Sequence, residues 1–342
     1  MASDNKIRVH FKSNHADPDS FPPTFEGESV FAITKERFDN AIQSYPDLKD
    51  KIEPIFDWDL ENFYESMKTA EVLVCWDFPT ENLAEIAPKL RWIHIIGAGV
   101  EHLCPMDWVP EHVSVVNNRG VHSAKAGEFG LMSVLMLHTH IPEIIQNQQN
   151  KHWESLYSSP ILGKTLLVIG TGNIGHAAAK KCKLLGMKVI GVSRHGMPLE
   201  GVDQMVKVDK LDEVLPAADY IFMSTPNTTE TFNLLDKRRQ SLMTPGVGIV
   251  NVGRAATMDY DALVENLNSG HIKAAIIDVF DPEPLPSNSI LWDTPNLMVM
   301  PHISADDGDT YIPLTLELVL MNMQRYIADE KLNNLINPDL GY

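Results

Sequence analysis

The stretch Thr165-Leu-Leu-Val-Ile169-Gly170-Thr171-Gly172-Asn173-Ile174-Gly175-His-Ala-Ala-Ala-Lys180 decides the fold. Thr165 to Ile169 is a short apolar run of the kind that forms a buried parallel strand. Three glycines follow at the spacing G-x-G-x-x-G. Ile174, Ala177, Ala178 and Cys182 then mark the apolar face of a helix that Gly186 ends. Strand, glycine turn and helix together form a dinucleotide fingerprint. Gly170 makes the tight turn, Gly172 lets a pyrophosphate approach the backbone, and Gly175 lets the helix pack closely on the strand. The pyrophosphate sits on the helix N-terminus, where unpaired N–H groups and the helix dipole favour anions. The competing reading, a glycine-bearing turn without a ligand, lacks a reason for the strand before and the helix after.

At 342 residues the chain exceeds what one core usually serves, so two domains are expected. The 46 acidic and 28 basic residues leave a formal net charge of -18 (28 − 46). That excludes nucleic acid and an anionic membrane as natural partners, and an anionic substrate must be drawn by local positive groups. Cys75, Cys104 and Cys182 are odd in number and sit in apolar contexts. They suit reduced core thiols of a cytoplasmic protein, not a disulfide framework or a metal site. The first residues, Met-Ala-Ser-Asp-Asn-Lys-Ile, carry no signal-peptide pattern, and no apolar run is long enough to span a bilayer.

Outward from the fingerprint, apolar runs at 188–192, 220–224, 248–252, 274–279 and 297–300 alternate with helical segments, notably Asp259 to Asn268. This pattern predicts a doubly wound parallel sheet in which Gly170, Ser193, Thr225, Arg254, Asp278 and His302 lie at strand ends and share one crevice. Towards the N-terminus, Ile7–Phe11, Val72–Cys75, Trp92–Ile96 and Val113–Val116 are strand-type runs. With the helical stretches between them they form an α/β domain of their own. The loop Ile96-Gly97-Ala98-Gly99-Val100-Glu101-His102 follows a strand. Its glycines suit either an anion nest or a turn that needs a flexible φ. Ser123 to Gln149 forms a long helix interrupted near Pro142. His138 and His140, two apart on it, point to different faces and are read as surface or interface histidines, not as joint metal ligands. Ser304 to Asp309 lacks the closing glutamate of a calcium loop, so no metal is expected there. Asp309 is read as the cap of a final helix, Tyr311 to Ala328, that folds back onto the first domain. The expected division is 1–117 with 305–342, and 118–304.

Four motifs agree in order and spacing: the glycine fingerprint, Asn251-Val252-Gly253-Arg254, Asp278-Val-Phe-Asp-Pro-Glu283-Pro, and Pro301-His302. In this the chain resembles the D-isomer-specific 2-hydroxyacid dehydrogenases from about Trp92 to Ser304, with the nearest likeness to the glyoxylate and hydroxypyruvate reductase branch. The resemblance implies two Rossmann-like or flavodoxin-like domains, a substrate domain and a dinucleotide-binding domain. It further implies that Arg254 pairs with the carboxylate of a 2-oxo acid and polarises its ketone, as a guanidinium's fork of donors can. By the same likeness the N–H groups of Ala98 and Gly99 hold the other carboxylate oxygen. His302 acts as general acid and Glu283 orients and charges it. Asp278 faces the nicotinamide carboxamide, while Thr225, Pro226 and Val252 border the cofactor. Trp76, with Phe78, His102 and Trp292, walls the pocket.

Two departures stand out. Ala255 follows Arg254 where relatives commonly have glycine. Leu137-His138-Thr139-His140 replaces a segment that often carries arginine. A formate dehydrogenase is disfavoured, because that branch uses glutamine where Glu283 stands. The long helix resembles the family's dimer arm, which implies a homodimer.

Cofactor choice turns on the end of the strand at 188–192. NAD enzymes of this fold place Asp or Glu about 20 residues beyond the fingerprint. Here the chain runs into Ser193-Arg194-His195, with Ser193 18 residues past Gly175 (193 − 175). With no carboxylate there, and with Arg194 available for a 2′-phosphate, NADP(H) is expected ahead of NAD(H). The expected function is reduction of a 2-oxo acid to a D-2-hydroxy acid. The alternatives are an NAD-linked dehydrogenase working towards oxidation, and a nucleotide-sensing corepressor.

Overall fold

Why the apolar runs are continuous, not alternating, is plain from where their side chains go. The structure, a computed structural model, describes residues 6–18 and 20–338. The first five residues, which show no leader pattern in the sequence, lie outside the described residues. In β6 (Thr165–Ile169), Leu167 and Ile169 belong to one apolar cluster, and Leu166 and Val168 to another on the opposite face. A strand covered on both faces needs apolar side chains at every position.

The chain divides into two compact units. One holds the residues up to His122 and those from Asp307 onward; the other is Ser123–Asp306. The first joint lies a few residues beyond the expected 117/118, because Asn118 and His122 bond and pack within the first unit. Likewise the second joint falls at 306/307, not 304/305.

The larger unit carries a seven-stranded parallel sheet. It contains β6, β7 (Lys188–Ser193), β8 (Gln204–Lys207), β9 (Tyr220–Met223), β10 (Val247–Asn251), β11 (Ile272–Ile277) and β12 (Leu297–Val299). Their order is β12-β11-β10-β9-β6-β7-β8. The order reverses between β6 and β9, so the crevice for a ligand opens beyond the carboxyl ends of those two strands. The smaller unit has its own parallel sheet. β1 (Ile7–Ser13), β2 (Ile52–Trp58), β3 (Val72–Cys75), β4 (Trp92–Ile95) and β5 (Ser114–Asn117) lie in the order β2-β1-β3-β4-β5. Its faces are also both covered: Val72 and Val74 pack in one cluster, Leu73 and Cys75 in the other. The two parallel sheets realise the expected α/β class.

β2 and β8 carry no sequence signal strong enough to be expected. Both are edge strands: β2 contains Pro54, and β8 is the polar Gln-Met-Val-Lys. An edge strand tolerates a proline and solvent-facing polar groups.

The long helical segment is two helices, Ser123–His138 and Ile141–Gln149. His140 has φ +61° between them, and Pro142 lies in the second helix's first turn. His138 departs from the surface role expected of it. It is buried, with Nδ1 2.8 Å from the Tyr220 hydroxyl and Nε2 2.6 Å from the Ser159 carbonyl. The final helix is Tyr311–Ile327, and Asp309 does not cap it. Asp307 holds that turn instead, accepting the N–H of Asp309 at 3.0 Å together with the N–H and hydroxyl of Thr310. Cys75 and Cys182 are buried and burial pushes both thiols up, but Cys104 is exposed, contrary to the core position expected for it. All three are free. No helix among the described residues is long and apolar enough to cross a membrane, and none of these residues cluster as metal ligands.

Of the glycines in the larger unit, Gly175 leaves the least room for a side chain. A Cβ on Gly175 would lie 2.0 Å from the Gly170 carbonyl oxygen, whereas one on Gly172 would meet no protein atom within 4 Å. Gly175→Ala is therefore expected to cost about 1–3 kcal/mol or more, as overpacking against rigid backbone does. Gly172→Ala should cost far less. Urea unfolding midpoints of the two variants check the contrast.

Candidate active site

The ends of β6 and β9 make the first half of the site. Gly170 turns the chain at φ +91°, and a side chain there would strike Ser224 and Thr225. The Ser224 hydroxyl donates to the Gly170 carbonyl at 2.7 Å, tying the two strand ends together. The helix Asn173–Leu184 starts here with Gly172 as its N-cap residue, and no side chain caps it. Thr171, Gly172, Asn173 and Ile174 are at least partly exposed, while Gly175 is buried beneath them. Thr225 Oγ1 is buried with no hydrogen-bond partner. Pro226 follows it, its carbonyl taken by the Thr231 hydroxyl at 2.6 Å. Val252, at the end of β10, is buried. A bare helix N-terminus, open space above Gly172 and an orphaned hydroxyl at a switch point fit the pyrophosphate and ribose of a dinucleotide.

β7 brings Ser193, Arg194 and His195 to the same edge, and here the structure corrects the reading of the sequence. A carboxylate is present after all. Glu230, carried by the loop after β9, accepts from Arg194 at 2.9 Å (Nε) and 2.7 Å (Nη2). The Ser193 hydroxyl accepts the Gly196 N–H at 3.1 Å, and His195 is exposed.

The second half of the site lies beyond β10, β11 and β12. Asn251 at the end of β10 accepts the Gly253 N–H at 3.0 Å and so shapes the turn that presents Arg254. The Arg254 carbonyl is taken by the Thr257 hydroxyl at 2.6 Å, and its Nη1 donates to the Gly253 carbonyl at 2.8 Å. Glu283 accepts the Phe280 N–H at 2.7 Å with one oxygen and faces His302 Nδ1 at 2.7 Å with the other. His302 follows Pro301 at the end of β12 with φ +55°, a backbone region that a residue other than glycine occupies only when its surroundings impose it.

Asp278 supplies much of that constraint. It is wholly buried and accepts the N–H of Ile303 at 2.9 Å and of Ser304 at 3.0 Å. Burial pushes its pKa up, against the hydrogen bonds that favour its charge. The geometry therefore shows Asp278 fastening the segment just after His302. Tyr260 and Asn251 join the site through contacts that the sequence does not display. The Tyr260 hydroxyl donates to the Val279 carbonyl at 2.6 Å and so braces the loop that carries Glu283. Asn251 stands in a quoted motif, but nothing local marks Tyr260, because its partner lies 19 residues away.

The electrostatics of the pair favour a charged imidazole. Burial acts against the imidazolium, but the hydrogen bond and charge of Glu283, with Asp278, outweigh it and leave the His302 pKa above its ordinary value, with Arg254 opposing. Burial likewise acts to raise Glu283, yet its bond to His302 and the nearby positive charges hold it below the usual range. With Nδ1 committed to a carboxylate, Nε2 is the nitrogen that gains and loses a proton.

Residues 131–304 match the family model described as "D-isomer specific 2-hydroxyacid dehydrogenase, NAD binding domain". The chain belongs to the D-isomer specific 2-hydroxyacid dehydrogenase family. It is 30% identical to a hydroxypyruvate reductase of Thermotoga maritima, over 70% of this chain and 79% of that protein. It is 28% identical to a glyoxylate reductase of Thermococcus litoralis, over 79% and 84%. A D-isomer specific 2-hydroxyacid dehydrogenase from Xanthobacter autotrophicus, solved in complex with NADPH and MES, aligns with a TM-score of 0.80 and 26% identity. That alignment covers 99% of this chain and 100% of the other. The match to several D-3-phosphoglycerate dehydrogenases spans only about half of those longer proteins or less, from 42% to 53%.

In the smaller unit the loop after β4 carries Ala98 and Gly99, both at least partly exposed. Trp76, after β3, stacks on His102 with ring centroids 4.1 Å apart, and His102 Nε2 lies 2.9 Å from the Trp76 carbonyl. Phe78 does not stand beside them on the surface: it is buried, packed edge-on against Trp108. Trp292 belongs to the larger unit, half-exposed, its indole N–H on the Pro286 carbonyl at 2.9 Å.

A direct test of the His302–Glu283 pair is titration of the histidine by NMR. The His302 pKa should lie above 6.5 in the wild type and fall in Glu283→Gln, which keeps the shape and removes the charge. An unmoved titration would break the link between the two groups.

Proposed function

We propose that this protein reduces a small 2-oxo acid of the glyoxylate or hydroxypyruvate kind to its D-2-hydroxy acid, with NADPH as the preferred cofactor. The observation that carries this is the 2.7 Å contact between His302 Nδ1 and Glu283, with Arg254 close enough to oppose the charging of that imidazole. A charged imidazole is a proton donor, and a guanidinium is a receptor for a planar carboxylate.

The fingerprint turn (170–175) and the orphaned Thr225 hydroxyl would hold the cofactor, with Val252 and Pro226 alongside. Asp278 is assigned to the carboxamide. When bound, the dihydronicotinamide supplies the hydride. This chain's own residues do the rest. Arg254 binds the substrate carboxylate and draws electron density towards the ketone oxygen. His302 gives its Nε2 proton to that oxygen as the carbonyl carbon is reduced, and Glu283 stabilises the imidazolium beforehand. The N–H groups of Ala98 and Gly99 are assigned to the carboxylate, and Trp76 to the substrate's remaining surface. The acid form of His302 is present below its raised pKa and lost above it. Reduction therefore falls as pH rises through that value, while oxidation of the hydroxy acid, which needs the neutral imidazole, improves.

A second copy of the chain is the proposed partner. Met132, Ile144, Ile145, Trp153 and Tyr157 are exposed along the two-helix segment and the irregular stretch after it. Apolar exposure of this kind marks an interface, and a two-fold homodimer covers it with the same surface of the other copy.

Two expected outcomes test the reading. Arg254→Ala should lower kcat/KM for glyoxylate or hydroxypyruvate by at least about a hundredfold, and Arg254→Lys should restore only part of it, since a point charge cannot copy a bidentate fork. Full activity in Arg254→Ala would remove the assignment. For the cofactor, Arg194 carries the preference and Glu230 tempers it, because a 2′-phosphate must share or displace that carboxylate. Glu230→Gln should lower the KM for NADPH several-fold and leave that for NADH unchanged. Arg194→Ala with Ser193→Asp should swing preference towards NADH. An unaltered cofactor ratio in both variants would refute the reading.

A further inference from the structure

The loop assigned to the substrate carboxylate is held from behind by a buried polar cluster that the chemistry above does not use. Three successive carbonyls of that loop are bound inside the smaller unit. Ile96 accepts from the Asn118 side-chain amide and, at 2.9 Å, from the Tyr311 hydroxyl. Gly97 accepts the Asn118 N–H at 3.0 Å. Ala98 accepts the Asn117 side-chain amide at 2.7 Å. In a trans peptide the carbonyl and the next residue's N–H point in opposite directions. Anchoring the carbonyls of Gly97 and Ala98 therefore aims the N–H groups of Ala98 and Gly99 away from the buried cluster. No acceptor among the described residues takes those two N–H groups.

The cluster is itself fixed. Asn117, Asn118 and Tyr311 are all buried. Burial keeps His94 neutral, with its pKa lowered to about 4, and its Nε2 lies 2.7 Å from Asn118 Oδ1. That contact settles which way the amide faces: the oxygen takes the imidazole N–H, and the nitrogen donates to Ile96 and, at 2.7 Å, to the Thr315 hydroxyl. Tyr311 opens the final helix, four residues past the point where the chain re-enters this unit, and its ring stacks on His122 at 3.8 Å.

We propose that Asn117, Asn118 and Tyr311 are positioning residues for substrate binding, setting the direction of the Ala98 and Gly99 N–H groups by holding the carbonyls of residues 96–98. This rests on the proposed role of that loop in receiving the carboxylate. Such residues act on the affinity for the 2-oxo acid, not on proton transfer or cofactor binding. Removing one anchor should therefore raise substrate KM while kcat stays near its wild-type value.

Tyr311→Phe deletes a single hydroxyl and keeps the ring on His122, and Asn117→Ala deletes the anchor of Ala98. In the full-length protein with NADPH, each should raise the KM for glyoxylate about fivefold to tenfold, the weight of one hydrogen bond. Both should leave kcat and the Kd of NADPH within about twofold. Ser13→Ala is the control for lost stability. Ser13 is buried in the same unit, its hydroxyl accepting the Ile33 N–H at 2.9 Å and not bonded to this loop, and its loss should leave KM unmoved. Hydrogen exchange of the segment around Ala98 should quicken in Tyr311→Phe but not in Ser13→Ala. Unchanged KM and exchange in folded Tyr311→Phe and Asn117→Ala, or an equal rise in KM in Ser13→Ala, overturns the proposal alone. A wild type that turns over no 2-oxo acid, or an Arg254→Ala enzyme at full activity, overturns the reading beneath it.

Discussion

Gly175 lies so near the Gly170 carbonyl that a Cβ on it would stand 2.0 Å from that oxygen, and much else follows from this. Only with no Cβ at 175 does the helix Asn173–Leu184 lie low enough on β6 for its first turn to overlook the strand ends. Ser224 then reaches Gly170, β6 and β9 are pinned at the point where strand order reverses, and the buried Thr225 hydroxyl is left facing that point without a partner. The crevice at these strand ends is thus a product of close packing at one backbone contact, and the residues beyond β10, β11 and β12 inherit their positions from the same sheet.

The protein is strongly anionic as a whole, with 46 acidic against 28 basic residues. Arg254 stands on a turn shaped by Asn251 and Thr257, and its guanidinium is directed by its own bond to the Gly253 carbonyl. Glu283 and His302 hold each other at 2.7 Å and shift each other's proton affinity in opposite directions. A carboxylate that spends its two oxygens on Phe280 N–H and an imidazole is a fixed counter-charge. A fixed counter-charge of this kind raises the proton affinity of the histidine it faces.

Both units restrain loops in the same way, with buried polar side chains bonded to loop backbone. In the larger unit Asp278 takes the N–H groups that follow His302, which helps hold that residue at φ +55°, and Tyr260 takes the Val279 carbonyl. In the smaller unit Asn117, Asn118 and Tyr311 take the carbonyls of residues 96–98. Buried polar groups are tolerable only when satisfied, and once satisfied they specify one loop conformation, which apolar packing alone does not.

The sequence by itself determined the central strands, the fingerprint and the strand-end residues Arg254, Glu283 and His302. These are signals written in consecutive positions: apolar runs for strands buried on both faces, glycines where backbone approaches backbone, polar residues where a strand stops. It was silent on β2 and β8, because an edge strand is freed from the burial that makes a run apolar. Tertiary structure alone decided matters that depend on partners far along the chain. Glu230 reaches Arg194 across 36 residues, His138 is buried because Tyr220 and Ser159 receive its nitrogens, and Asn118 meets Thr315 across 197 residues. A local pattern records how a residue sits on its own element. Which distant group meets its polar atoms is fixed only when the elements pack, and charge state, loop direction and the setting of Arg194 follow from that packing.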